Sequence, residues 1–303
     1  MCKSKIASSG EYKFEAGKPA CPVACKYCFV TEHDTRREVW NKQPLAGLNK
    51  ACTFVNVSPW IGENPEEQVR FLGFPWEILK GDMVGFTAVS DPLWPALDQY
   101  LWHFLERVSP LAKVATCVSK WPVSRETMKR LAQVPNFMLV VTITGNHQPI
   151  ERVTVRQHLK TLELAKEMGV KALPISHPYI AGVSDLSFLS ELKKLGYDEF
   201  DVKGFRYCDA RMRSWMPERS RQLYLGREDE EVLPEDGWRD LVAEAGLKLV
   251  SPREWYLREG MKNNPHLSHP EAKTLVREVM KLANVVSSSS TSEVFEAAVR
   301  RRM

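Results

Sequence analysis

Between residues 53 and 205 short β-branched and aromatic runs alternate with longer stretches of helical period, and this alternation restricts the fold more than any other feature. The runs 53–57, 83–89, 114–118, 137–144, 170–175 and 199–205 have strand character, and 66–79, 124–132, 155–168 and 186–195 read as helices. Leu97, Leu101, Phe104, Leu105 and Val108 recur at the spacing of one helix face, which predicts a further helix after the second strand. Gly169 follows Met168 where a helix C-cap would precede the next strand. Strands separated by helices pair in parallel, so the expected class is α/β with a mainly parallel sheet. The repeated strand-helix unit is that of a full or partial barrel.

From about Asp209 onward the strand pattern stops, and 238–245 and 271–283 read as helices. The second carries an apolar stripe (Ala272, Leu275, Val276, Val279, Met280, Ala283) expected to pack on the outside of the main domain. Residues 287–292 are serine and threonine in flexible-linker style, with a short tail after them. The chain thus divides into a main domain (1–208), a helical extension (209–286) and a linker with tail (287–303). With 44% apolar and 26% charged residues, the body of the chain is not disordered. It has no apolar run of about 18 residues and no apolar segment after Met1-Cys2-Lys3-Ser4-Lys5, so a cytoplasmic location with no membrane contact is expected.

Seven cysteines in a chain of 303 residues do not form the even framework of a small secreted domain, and they point to metal or thiol chemistry in a reducing compartment. Cys21, Cys25 and Cys28 are spaced x3 and x2, close enough for one loop to offer three thiolates to three corners of an iron-sulfur cube. The fourth iron would stay open to a substrate or cofactor. A zinc knuckle is the competing pattern, since Cys25-x2-Cys28-x4-His33 begins like one, but Glu38 stands where its last cysteine belongs.

Cys21-x3-Cys25-x2-Cys28, with Tyr27 just before the last cysteine, resembles the signature of the radical S-adenosylmethionine (SAM) superfamily. The resemblance implies a partial (β/α)6 TIM-type barrel with a C-terminal helical extension. It also implies a [4Fe-4S] cluster on Cys21, Cys25 and Cys28, and SAM cleavage to a 5′-deoxyadenosyl radical that removes a hydrogen atom from the substrate. A flavodoxin- or ferredoxin-type protein would supply the electron.

Within the superfamily, residues from about 20 to 209 resemble the spore photoproduct lyase group. Thr53-Phe54-Val55-Asn56-Val57 is similar to that group's segment ahead of the next strand. Ser90-Asp91-Pro92-Leu93-Trp94 is similar to its Ser-Asp element, and Cys117-Val118-Ser119-Lys120 to its Val-Thr-Lys strand end. These matches imply that Tyr27, Ser90 and Asp91 line the SAM site and that Lys120 meets the SAM carboxylate. A surface lysine before Trp121-Pro122 is the plainer alternative. Thr142 and Thr144 share one face of a strand and either hydrogen-bond SAM or cap the strand. His177 either reaches substrate or is structural. Where the lyases have a hydrogen-donating cysteine this chain has Ala88, so repair of thymine dimers is not expected. Cys208 and its neighbour Tyr207, after the last barrel strand, are the candidate catalytic pair, with packing as the alternative for Cys208. Cys117 is either a second donor thiol or buried.

A net charge of +4 does not by itself imply nucleic-acid binding. Lys203, Arg206, Arg211, Arg213, Arg219, Arg221 and Arg227, against Asp209 and Glu218 alone, read either as a solvated face or as a phosphate-facing patch. Interleaved with Tyr207, Trp215 and Tyr224, this stretch suggests a nucleobase, nucleotide or DNA substrate whose base is modified or rearranged. The alternatives are a small metabolite, natural-product intermediate or peptide, and a non-catalytic zinc or nucleic-acid binding module.

Overall fold

A computed structural model of the chain describes residues 21–28, 53–57, 61–87, 90–146, 150–206, 208, 210–227, 230–232 and 237–263. The helix expected at 271–283, the linker and tail at 287–303, and Tyr207, Ala88, His33 and Glu38 lie outside the described residues.

Among the described residues seven strands stand side by side in chain order: β1 (Thr53–Val55), β2 (Met83–Phe86), β3 (Val114–Ser119), β4 (Phe137–Thr142), β5 (Lys171–Tyr179), β6 (Glu199–Gly204) and β7 (Lys248–Leu249). Every neighbouring pair is parallel. The class is therefore α/β, and the sequential order is compatible with a partial TIM-type fold. The helices are α1 (Pro65–Leu72), α2 (Asp98–Val108), α3 (Arg125–Leu131), α4 (Val155–Glu167), α5 (Leu189–Lys194), α6 (Ala210–Arg213), α7 (Glu218–Tyr224), α8 (Trp238–Glu244) and α9 (Pro252–Asn263). No helix among the described residues is long and apolar enough to cross a membrane.

Strand alternation separates two cores. Val84, Phe86, Ala115, Cys117, Leu139, Val141, Phe200 and Val202 face the helices and pack with Leu101, Phe104 and Leu105 of α2, Leu162 of α4 and Leu192 of α5. Phe54, Met83, Val114, Met138, Val140, Leu173 and Ile175 form the core of the other face. With both faces covered, β4 is buried along its whole length, as its unbroken apolar run requires. Helix α4 begins at a reciprocal cap in which the Thr154 hydroxyl accepts from Gln157 N and the Gln157 side chain accepts from Thr154 N.

Three expectations need correction. The helix expected over 66–79 ends at Leu72, and a 3-10 turn follows at Trp76–Leu79, because Pro75 has no N–H and clashes with a preceding helical turn. The strand expected at 170–175 runs to Tyr179, with a register shift between Ser176 and Tyr179 that accommodates Pro178. The strand pattern does not stop at Asp209, since β7 adds to β6 with Glu199 opposite Lys248 and Phe200 opposite Leu249.

Helix α9, also unexpected, fills the second core at the N-terminal ends of the strands. Trp255 and Tyr256 pack there, and Tyr256 OH lies 3.0 Å from Thr116 Oγ1. Arg258 makes two bonds, of 2.8 and 2.6 Å, to Glu199 at the start of β6. Gly260 permits the contact, because a Cβ there would stand 2.8 Å from Val114 Cγ2.

Candidate functional site

The cysteine loop lies over the C-terminal ends of the strands. Two turns shape it, with Ala24 N donating to Cys21 O (3.2 Å) and Cys28 N to Cys25 O (3.0 Å), and Ala24 takes a positive φ of 48°. Lys26 N donates to Ile150 O at 3.0 Å, which anchors the loop beyond β4. Val23, Cys25 and Tyr27 are buried with Val153, Ile180, Phe205 and Tyr224, while Cys21 and Cys28 are half-buried. None of the three cysteines is in a disulfide.

Burial pushes the Cys21 thiol up to about 11, with the Asp91 carboxylate and the Cys28 thiol adding to the shift. Burial likewise holds Cys25 well above the ordinary thiol range, opposed by Lys120 and reinforced by Glu151 and Cys28. These thiols need a cationic partner to ionise, and a metal centre supplies one. Three soft donors on one short loop, mutually coupled and free of disulfides, suit an iron-sulfur cube. Among the described residues no three His, Cys, Asp or Glu side chains converge closely enough to hold a single metal ion. A cube holds its thiolates on separate corners and does not need that convergence.

The inner-face alternation continues past the strand ends and changes from apolar to polar. Val114, Thr116 and Val118 lead to Lys120; Met138 and Val140 lead to Thr142 and Thr144; Leu173 and Ile175 lead to His177. Lys120 Nζ sits 5.6 Å above the Tyr27 ring and donates to His177 O at 3.4 Å, with no carboxylate of the described residues in ion-pair range. Asp91 holds the segment that carries it. Its Oδ1 accepts from Ser119 Oγ (2.7 Å) and Leu93 N (3.1 Å), and its Oδ2 from Lys120 N (2.7 Å) and Trp121 N (2.9 Å). Asp91 therefore acts on the site through Lys120. Ser90 Oγ, next to it, is buried with no hydrogen-bond partner among the described residues. His177 Nε2 is 2.8 Å from Asp201 Oδ2, and burial lowers the imidazole's pKa against the pull of that carboxylate.

Glu151 and His158 are the site residues that sequence reasoning missed. Glu151, 2% exposed, accepts from Tyr27 OH at 2.6 Å and from Thr144 Oγ1, while His158 Nε2 lies 3.5 Å from its other oxygen. Burial works against the charged carboxylate, but His158, Lys120 and Thr144 outweigh it and hold the pKa below the ordinary value. The available signal was His158 on the buried stripe of α4 with Thr161, Leu162 and Ala165. A cavity of about 290 Å³ adjoins Glu151, and Asn146 and Arg156 also line it.

Thr144 reaches this network directly, whereas Thr142 is buried on the same inner face without an assigned bond to it. Cys208 is fully buried with its Sγ 3.8 Å from Met216 Sδ, in the apolar cluster that holds Cys25 and Tyr27. Cys117 is buried in the helix-side core. Within the basic stretch Arg206 pairs with Glu231, Arg221 with Glu218 and Arg227 with Glu230. Tyr224 is buried and its hydroxyl accepts from Ala181 N, so it is not a stacking surface.

No protein-family model matches the chain, and no curated protein matches it at a significant level.

Proposed function

We propose that the chain is a radical SAM enzyme built on a partial (β/α)6 barrel. Cys21, Cys25 and Cys28 would hold a [4Fe-4S] cluster, with SAM beside it. The observation that carries this reading is the approach of the three-thiol loop to Lys120, an inner-face ammonium that makes no ion pair among the described residues, at the C-terminal ends of the strands. Functional groups of such barrels collect at that end. When bound, the cluster and SAM would supply a radical able to take an unactivated hydrogen, chemistry beyond the reach of acid-base side chains.

The chain's own residues bind and orient. Lys120 neutralises the methionine carboxylate of SAM, held for that role by the bonds from Ser119, Lys120 N and Trp121 N to Asp91. Ser90 Oγ, buried and unpartnered, offers a further hydrogen bond to the cofactor. Thr142 lines the same face, and Thr144 is engaged by Glu151. Tyr27, roofed by Lys120, sets the height of the loop. Val23, Ile180 and Phe205 shield the buried Cys25 from water.

The substrate in this reading is a nucleobase-type compound that is modified or rearranged. Tyr207 and Cys208 are candidates for hydrogen relay, and a flavodoxin or ferredoxin serves as reductant. Returning the hydrogen from 5′-deoxyadenosine would need no protein thiol, in keeping with the burial of Cys208 against Met216. A small metabolite is the second reading, favoured by the three arginines already paired with glutamates and by the burial of Tyr224.

The test is anaerobic reconstitution, reduction with dithionite, addition of SAM and quantification of 5′-deoxyadenosine. Formation that disappears in Cys25→Ala supports the proposal, and a reduced protein that never cleaves SAM refutes it. Stimulation by nucleosides or DNA, set against small metabolites, separates the two substrate readings.

A further inference from the structure

We propose that Glu151 is a positioning residue, a buried carboxylate that braces the cysteine loop against the end of β4 and the start of α4. A carboxylate at 2% exposure is unfavourable unless its oxygens are satisfied. Here one oxygen takes two hydroxyl donors, from Tyr27 at 2.6 Å and from Thr144, and the other faces His158 Nε2 at 3.5 Å. The three partners come from three places: the loop, the continuation of β4, and α4. Tyr27 lies 124 positions from Glu151 in the chain, so this contact joins distant segments.

The neighbouring contacts act in the same direction. Lys26 N donates to Ile150 O at 3.0 Å, and Val23 packs in one cluster with Ile150 and Val153. The Tyr27 ring meets Phe205 edge-on at 6.3 Å and carries Lys120 5.6 Å above it. Fixing the tyrosine hydroxyl therefore fixes the flanking cysteines and their separation from Lys120. The brace stands on these contacts alone; its effect on cluster retention rests on the function proposed above.

Two measurements on the full chain test it: hydrogen exchange of the amides of residues 21–28 in the metal-free protein, and chelator-driven iron release from the reconstituted protein. Tyr27→Phe leaves the Thr144 and His158 contacts of Glu151 in place, so it stays informative if Glu151→Ala does not fold. Tyr27→Phe and Glu151→Ala should speed exchange at the Lys26 amide, and iron release, by about tenfold or more, the effect of losing a hydrogen bond to a charged group. Glu151→Gln should stay within about threefold of wild type, because its amide oxygen accepts both hydroxyls and its NH2 faces His158. The proposal is overturned if Tyr27→Phe matches wild type in both measurements, or if Glu151→Gln fails as badly as Glu151→Ala. A wild type that binds no iron but has a looser loop in Tyr27→Phe supports the brace and refutes only the function. A wild type that keeps its cluster, with loop exchange unchanged in Tyr27→Phe, does the reverse.

Discussion

At the N-terminal ends of the strands, Trp255 and Tyr256 fill the inner face, Thr116 meets Tyr256, and Arg258 is clamped by Glu199. At the C-terminal ends, Lys120 makes no ion pair among the described residues, and Ser90 Oγ, Ser176 Oγ and Asn146 Nδ2 are buried without hydrogen bonds to them. Others lie elsewhere among the described residues, including Trp76 Nε1 and the neighbouring His103 Nε2, but none belongs to the inner-face core. A buried unpaired polar group costs roughly 1–3 kcal/mol, so a fold tolerates several together where a ligand or water completes them. One end of the sheet is finished with packed side chains, and the other is left incomplete, as the proposed binding role requires.

The largest expected effect lies at the finished end. Trp255→Ala should lower unfolding free energy by about 3–5 kcal/mol in denaturant titrations, with SAM affinity of the folded fraction unchanged. A comparable loss of affinity would show that the two ends are not independent. At the incomplete end, Lys120→Met should weaken SAM binding about ten- to a hundredfold by calorimetry while leaving the denaturation midpoint in place. A large drop in midpoint with normal affinity would make Lys120 structural. Thr116→Val, which keeps the side-chain volume but removes the partner of Tyr256, should cost about 1–2 kcal/mol and leave cofactor binding untouched.

The smallest effect is a pH dependence that also separates the ends. Burial depresses the His177 pKa below the unfolded value of 6.5, partly offset by Asp201, so its contribution to stability is present above 6.5 and lost as pH falls through the lower folded value. His177→Gln should flatten the fall in denaturation midpoint between about pH 7.5 and 5.5. An unchanged slope would assign that acid sensitivity elsewhere.

The strand order was legible because each parallel strand is an apolar run long enough to register and is bounded by a helix of clear period. β7 escaped because Lys248–Leu249 is too short for any pattern, and pairing with β6 supplies what propensity does not. Helix α9 escaped because its inward residues lie close together at Trp255, Tyr256 and Gly260 and form no long stripe, although Ser251-Pro252-Arg253-Glu254 has the spacing of a capping box and Ser251 Oγ does accept from Glu254 N. In the candidate site, local spacing marked the cysteines, and resemblance to a family strand end marked Lys120. Glu151 was marked by neither, since its value depends on Tyr27, far away in the chain, and nothing in 150–153 announces that contact.

The most direct test of the account is the iron, sulfide and zinc content of anaerobically purified wild type and Cys25→Ala, with electron paramagnetic resonance of the reduced samples. The account predicts about four irons and four sulfides per wild-type chain, a reduced-cluster signal that changes when SAM is added, and loss of both in Cys25→Ala. A colourless wild type carrying zinc and no sulfide, with no such signal after reconstitution, would contradict it.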